Sequence, residues 1–216
     1  MRWGLPTILS LTMLAACAAP EPPAPPPPPP PPPPVVQALE PPDPHYFNMD
    51  LPPKLADGSY QTPNSEIGPL EQLFHFRAAL NVAALSCRNM PGYDLASQYN
   101  EFIKTFAQPL REANRAIEQK FLREHGAAGS RIRDSHMTSL YNHFAQPTTL
   151  AIFCPAARRH LNAALDLSVE GLEGYALPAL VEMEQIFQEH FAQIEDYQRS
   201  YRQRMEERGL TEPPTS

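Results

Sequence analysis

The sequence predicts an all-α fold, an antiparallel bundle of about five helices preceded by a disordered proline-rich linker. Three observations predict it. Beyond Pro69, apolar residues recur at alternating steps of three and four, the spacing that keeps them on one helical face. The breaks between those stretches are short, so consecutive helices must turn back on one another. Prolines, by contrast, crowd the chain before Leu70, where no periodicity survives.

The chain opens on Met1-Arg2 and a mostly apolar run from Leu5 to Ala16. That is the length of a signal-peptide core and falls short of the roughly 20 apolar residues that span a bilayer. The run ends in Leu14-Ala15-Ala16-Cys17, which resembles the lipobox of bacterial lipoproteins: a branched apolar residue, two small residues and the acceptor cysteine. The resemblance covers residues 1–17. It implies that residues 1–16 are removed as a signal peptide and that Cys17 becomes the acylated first residue, holding the protein to a membrane. Ordinary cleavage after a small residue, with Cys17 incidental, is the alternative. Ala18 and Ala19 follow, where lipoproteins retained in the inner membrane commonly carry Asp. The resemblance therefore also implies a place in the cell envelope, on the outer membrane facing the periplasm.

Residues 17–44 read as a lipid-anchored, proline-rich linker. Ten consecutive prolines, Pro25 to Pro34, favour a polyproline II rod of roughly 30 Å. Such a rod holds a folded domain away from its anchor. A docking ligand for an aromatic groove is the competing reading, but the run has only Glu21 before it and Val35-Val36 after it to orient recognition. Residues 45–69 keep several prolines yet carry Tyr46, Phe47, Met49, Leu51 and Tyr60, which marks an extended strap packed along the domain.

Residues 70–209 read as the helical bundle, followed by a flexible tail over 210–216. Leu73, Phe76, Leu80, Ala83 and Cys87 form the first stripe, which ends before Asn89-Met90-Pro91-Gly92. Asp94 is placed to cap a second helix with the stripe Tyr99, Phe102, Phe106, Leu110, Ala113, Ile117 and Phe121, bent by Pro109 and stopped by Gly126. Ile132, His136, Leu140 and Tyr141 to Phe144 belong to a third helix. A fourth follows Pro147, with Leu150, Cys154, Ala157, Leu161, Leu165 and Ser168 on one face. A fifth is expected from about Pro178, with Leu180, Met183, Phe187, Ile194, Tyr197, Tyr201 and Met205.

Cysteine arithmetic follows from the anchor. Of three cysteines, acylation of Cys17 leaves Cys87 and Cys154, both on apolar stripes. In an oxidising compartment they are expected to form one disulfide stapling the first and fourth helices, two buried free thiols being the alternative. The run F-R-A-A-L-N-V-A-A-L-S-C-R from Phe76, with Y-N-H-F from Tyr141 and F-C-P-A-A from Phe153, also resembles a group of exported all-helical bacterial proteins with no known activity. That resemblance spans residues 70–165 and implies a fold and an export route.

Motifs that carry chemistry are missing. The net charge is −7 with both signs mixed, which argues against a nucleic-acid partner. No phosphate loop, nucleophile elbow, HExxH or CxxC pattern occurs, and no cofactor or metal is implied. His136 and His143 lie two turns apart, about 10 Å along a helix, too far to share an ion; with Asp134 and His160 they read as packed or solvated side chains. Glu170, Glu173, Glu182, Glu184 and Glu189 include spacings that would suit a glycosidic acid and base, but an exposed charged face explains them more simply. Arg199, Arg202, Arg204 and Arg208 near the end either touch a membrane or partner or complement a helix dipole. No catalytic residue is identifiable. The expectation is a binding or structural module whose partner is an envelope protein or polymer, with a hydrolase of envelope polymers as the alternative.

Overall fold

The structure, a computed structural model, describes residue 40, residues 43–211 and residue 213. The signal segment, Cys17 and the proline run lie outside these residues. All described residues belong to the unit Leu39–Ser216. In chain order its α-helices are α1 (Pro44–Phe47), α2 (Pro69–Ser86), α3 (Ala96–Thr105), α4 (Ala107–His125), α5 (Gly129–Phe144), α6 (Leu150–Leu165) and α7 (Gly171–Glu207). The fold is the expected all-helical bundle, and no named strand occurs among the described residues.

The bundle is organised around α2, which packs against α3, α4, α5, α6 and α7. Its buried residues include Phe74, Ala78 and Val82 as well as the predicted stripe. A helix that is apolar nearly all round belongs inside. Pro69 occupies its first turn, where a missing N–H does no harm, and the Gly68 N–H donates to Glu71 Oε2 at 3.0 Å. The other Glu71 oxygen accepts from Lys120 Nζ at 2.6 Å, tying the start of α2 to the end of α4. That pairing runs the two helices antiparallel.

The predicted second helix is two helices. Phe106, at φ −103° and ψ 26°, separates α3 from α4. Pro109 explains the position of the break, because it lacks the N–H that would bond the Thr105 carbonyl and its ring crowds that same carbonyl. Phe106 stays fully buried, so the break redirects the stripe and keeps it in the core. Asp94 accepts from the Ala96 N–H at 3.3 Å, one residue before the cap position taken by Leu95.

The last helix also departs from expectation, since α7 begins at Gly171, with Pro178 inside it. Burial of Leu172 and Ala176 ahead of the proline offsets the one hydrogen bond it removes. Ser168, expected on the face of the fourth helix, lies beyond α6 and accepts from the Gly171 N–H at 3.2 Å. With 37 residues, α7 is about 55 Å long and ends in a Gly209 turn at φ 67°, where the Leu210 N–H reaches the Met205 carbonyl at 2.9 Å.

Two local features hold the assembly together. Cys87, just past α2, bonds to Cys154 of α6 with Cα atoms 5.8 Å apart, so the expected staple is present. Phe144 of α5, Phe153 of α6 and Phe187 of α7 meet as a fully buried trio with ring centroids 5.6–5.8 Å apart. Between α4 and α5 the corner demands glycine. Gly126 takes φ 55°, and a Cβ on Gly129 would lie 2.5 Å from the Phe121 carbonyl oxygen.

Candidate functional site

The segment before α2 runs antiparallel along α7, held by a ladder of polar contacts. Starting at the far end, the Tyr201 hydroxyl donates to the Glu40 carbonyl at 2.8 Å and the Asp43 N–H donates to the Tyr197 hydroxyl at 2.7 Å. Gln198, buried, donates to the carbonyls of Tyr46 and Met49 at 2.9 and 2.8 Å. Glu195 Oε2 accepts from Lys54 Nζ at 2.6 Å and from the Tyr60 hydroxyl at 2.9 Å. The Gln188 amide then mimics a backbone partner: Oε1 accepts the Tyr60 N–H at 2.7 Å and Nε2 donates to the Tyr60 carbonyl at 2.9 Å. A helical turn at Pro44–Phe47, an isolated bridge between Lys54 and Tyr60, and turns at 56–58 and 63–66 interrupt the extended chain. Paired in this way, its backbone groups can lie against the helix without a sheet.

Where the strap meets α2, five side chains form a relay, with His75 and His143 buried and Asn64, His136 and Glu184 half-buried. The Asn64 amide donates to Glu184 Oε2 at 2.6 Å, and Asn64 Oδ1 lies 2.8 Å from His75 Nδ1. With Nδ1 donating to that oxygen, His75 Nε2 must accept, so His136 Nε2, 3.2 Å away, supplies the proton between them. At the other end His143 Nε2 sits 2.9 Å from Glu184 Oε2. Burial would raise the Glu184 carboxyl, but hydrogen bonds from His143, Asn64 and Thr62 hold it below the usual carboxylate range. Burial, reinforced by the charges of His136, Lys120 and His143, pushes His75 down to about 3. Within the relay, His75 is thus neutral and Glu184 ionised, with the Asn64 amide between them.

Above the relay lies an open cleft of about 580 Å³ between strap and α7, lined by Asp57, Ser59, Thr62, Asn64, Glu184 and Gln188 among others. These residues supply hydroxyls, amides and carboxylates. Leu55, Ala56 and exposed Val181 add apolar surface beside them, so the cleft suits a partner that carries both polar and apolar groups.

The residues singled out in the sequence are dispersed. His136 and His143 do not meet; they serve opposite ends of the relay. His160 lies elsewhere, its Nδ1 2.8 Å from the Tyr175 hydroxyl and its Nε2 3.1 Å from Glu182 Oε2, close enough for an ion pair but not aligned as a hydrogen bond. Burial lowers the His160 pKa, against the pull of Glu182. Glu182 also pairs with Arg159 on the surface. Glu170, Glu173 and Glu189 are exposed and do not join Glu184. Asp134 is exposed and paired with Arg133, and Arg199 with Asp196. Among the described residues no group of three or more His, Cys, Asp or Glu side chains converges to hold a metal.

His75, Asn64 and Gln188 were missed by sequence reasoning. The signal was faint: a histidine inside the most apolar helix needs a polar partner, and only the strap could bring one. No family model matches the chain, nor does any curated protein or any solved structure. No described helix is long and apolar enough to cross a membrane.

Proposed function

We propose that the protein is an envelope lipoprotein, anchored through Cys17, whose helical domain is held off the outer membrane by the polyproline rod and binds an envelope protein or polymer. The strap cleft is the candidate contact for that partner. One observation carries the choice of binding over hydrolysis: Glu184, the one of the five acidic candidates that lines the cleft, is already engaged by His143, Asn64 and Gln188. Glycosidic cleavage needs two carboxylates across the bond, one protonated and one ionised, and none of the other four acidic candidates joins Glu184 at the cleft. Glu184 is held in the ionised form and works as a bracket between strap and bundle.

Two measurements test this. Metabolic labelling with palmitate is expected to mark the protein, and labelling that survives Cys17→Ser removes the anchor from the proposal. The purified chain is then incubated with isolated cell-wall sacculi and with outer-membrane fractions. Co-sedimentation without release of soluble fragments is expected; fragment release that disappears in Glu184→Gln would replace binding with hydrolysis, and no retention on either material would defeat the binding role.

A further inference from the structure

On a surface sharing no lining residue with the strap cleft, α2, α3 and α4 enclose an open groove of about 590 Å³. Ile103, Ala107 and Leu110 contribute apolar surface, and Arg77 of α2 stands with Arg111 and Arg115 of α4 around it. Arg111 and Arg115 are four residues apart, so they project from one face of α4. Arg77, half-buried, comes from the antiparallel neighbour.

These three guanidinium groups make no hydrogen bond or ion pair with another described residue. Lys54, Lys120, Arg133, Arg159 and Arg199 each have a carboxylate partner, whereas exposed cations such as Arg88, Lys104 and Arg131 have none among the described residues; what distinguishes Arg77, Arg111 and Arg115 is that all three line one groove. The chain carries 24 acidic residues against 17 basic ones, so acids for pairing are in excess. The one carboxylate in the groove lining, Glu118, already accepts from Arg133 and Asn114 through Oε1. Three like charges gathered around one groove raise the energy of the empty site and lower it once an anion enters.

Guanidinium forks match carboxylate and phosphate oxygens in bidentate geometry. The apolar surface from α3 and α4 adds a second requirement, because a bare inorganic anion would leave it in water. The volume falls within the roughly 300–1,000 Å³ of small-molecule sites. We propose that the groove of Arg77, Arg111 and Arg115 binds an amphiphilic anion, a phosphate or carboxylate group carried on an apolar body. The site needs only the folded helices and is independent of the anchor and of the strap cleft.

Calorimetric titration of the purified full chain with hexyl phosphate, inorganic phosphate and hexanol tests it. Hexyl phosphate is expected to bind saturably and about tenfold tighter than either fragment of itself, since charge and apolar surface act together. Arg77→Gln, Arg111→Gln and Arg115→Gln are each expected to weaken it several-fold, and the triple variant to abolish it, while Arg131→Gln leaves it unchanged. If the triple variant fails to fold, the exposed Arg115→Gln with Arg111→Gln carries the same test. Vesicles containing anionic phospholipid identify the source: binding to vesicles that hexyl phosphate blocks indicates a lipid headgroup, and binding to the monomeric probe alone indicates a free amphiphile. Either result supports the site. No saturable binding, equal affinity for inorganic phosphate, or affinity unchanged in the folded multiple variant would overturn it.

Discussion

Glu184 and Glu182 stand two residues apart on α7, yet one is bracketed inside the strap relay and the other pairs with Arg159 on the surface. The difference is helical phase: a step of two residues turns the side chain by about 200°. The relay predicts a pH dependence. In the unfolded chain His75 takes up a proton near pH 6.5, whereas the folded domain resists protonation down to about 3. Between those values the unfolded state binds more protons, so stability is complete above about pH 6.5 and declines as the pH falls. The depressed Glu184 pKa acts in the same direction, its contribution being lost as pH drops through its folded value. Thermal melts are expected to show a falling midpoint over this window, and His75→Gln should flatten the decline. At the α4–α5 corner, Gly129→Ala would drive a methyl group into the Phe121 carbonyl. The expected loss is about 1–3 kcal/mol, measured by urea denaturation.

Elements acquire their roles from what they cross. The strap has almost no secondary structure to hold it, and its attachment depends on α7 side chains that imitate backbone partners. Gln188→Ala would leave the N–H and carbonyl of buried Tyr60 without their partner, at about 1–3 kcal/mol for each unsatisfied group. Because those groups belong to the strap, local opening is expected to precede global unfolding. Limited proteolysis should therefore cut Gln188→Ala within residues 50–66 while the helical circular dichroism persists. Simultaneous loss of both signals would show strap and bundle to be one cooperative unit.

Across the whole molecule, the disulfide and the phenylalanine trio join helices that are distant in sequence. Cys87 and Cys154 are 67 residues apart, and closing such a loop stabilises by roughly 4 kcal/mol on the chain-entropy account. The Cys87→Ser/Cys154→Ser double variant is expected to lower stability by that order, read from the denaturation midpoint with and without reductant. Phe153→Ala should cost about 3–5 kcal/mol, since the fully buried ring packs against Phe144 and Phe187 and its loss leaves a cavity between them. The trio and the disulfide both meet on α6. The burial of its inner face from Phe153 to Ala164 offsets the hydrogen bond that Pro155 removes, so α6 continues through it.

The apolar period by itself determined that the domain is helical, where most helices lie and which faces are buried, because burial of a stripe is a local demand that every residue on it repeats. It also marked Cys87 and Cys154 as core residues; their expected pairing needed the export signal and the cysteine count as well, and the fold brings them together. Local rules misjudged the prolines. Pro109 and Pro178 sit in comparable apolar contexts, and only the packing around each decides whether a helix breaks, as at Phe106, or continues, as from Leu172 through α7. The relay of His136, His75, Asn64, Glu184 and His143 was likewise out of reach, since its members come from four segments up to 120 residues apart. Hydrogen bonds between distant side chains leave no period in a sequence; they exist only after α2 is enclosed and the strap is laid along α7.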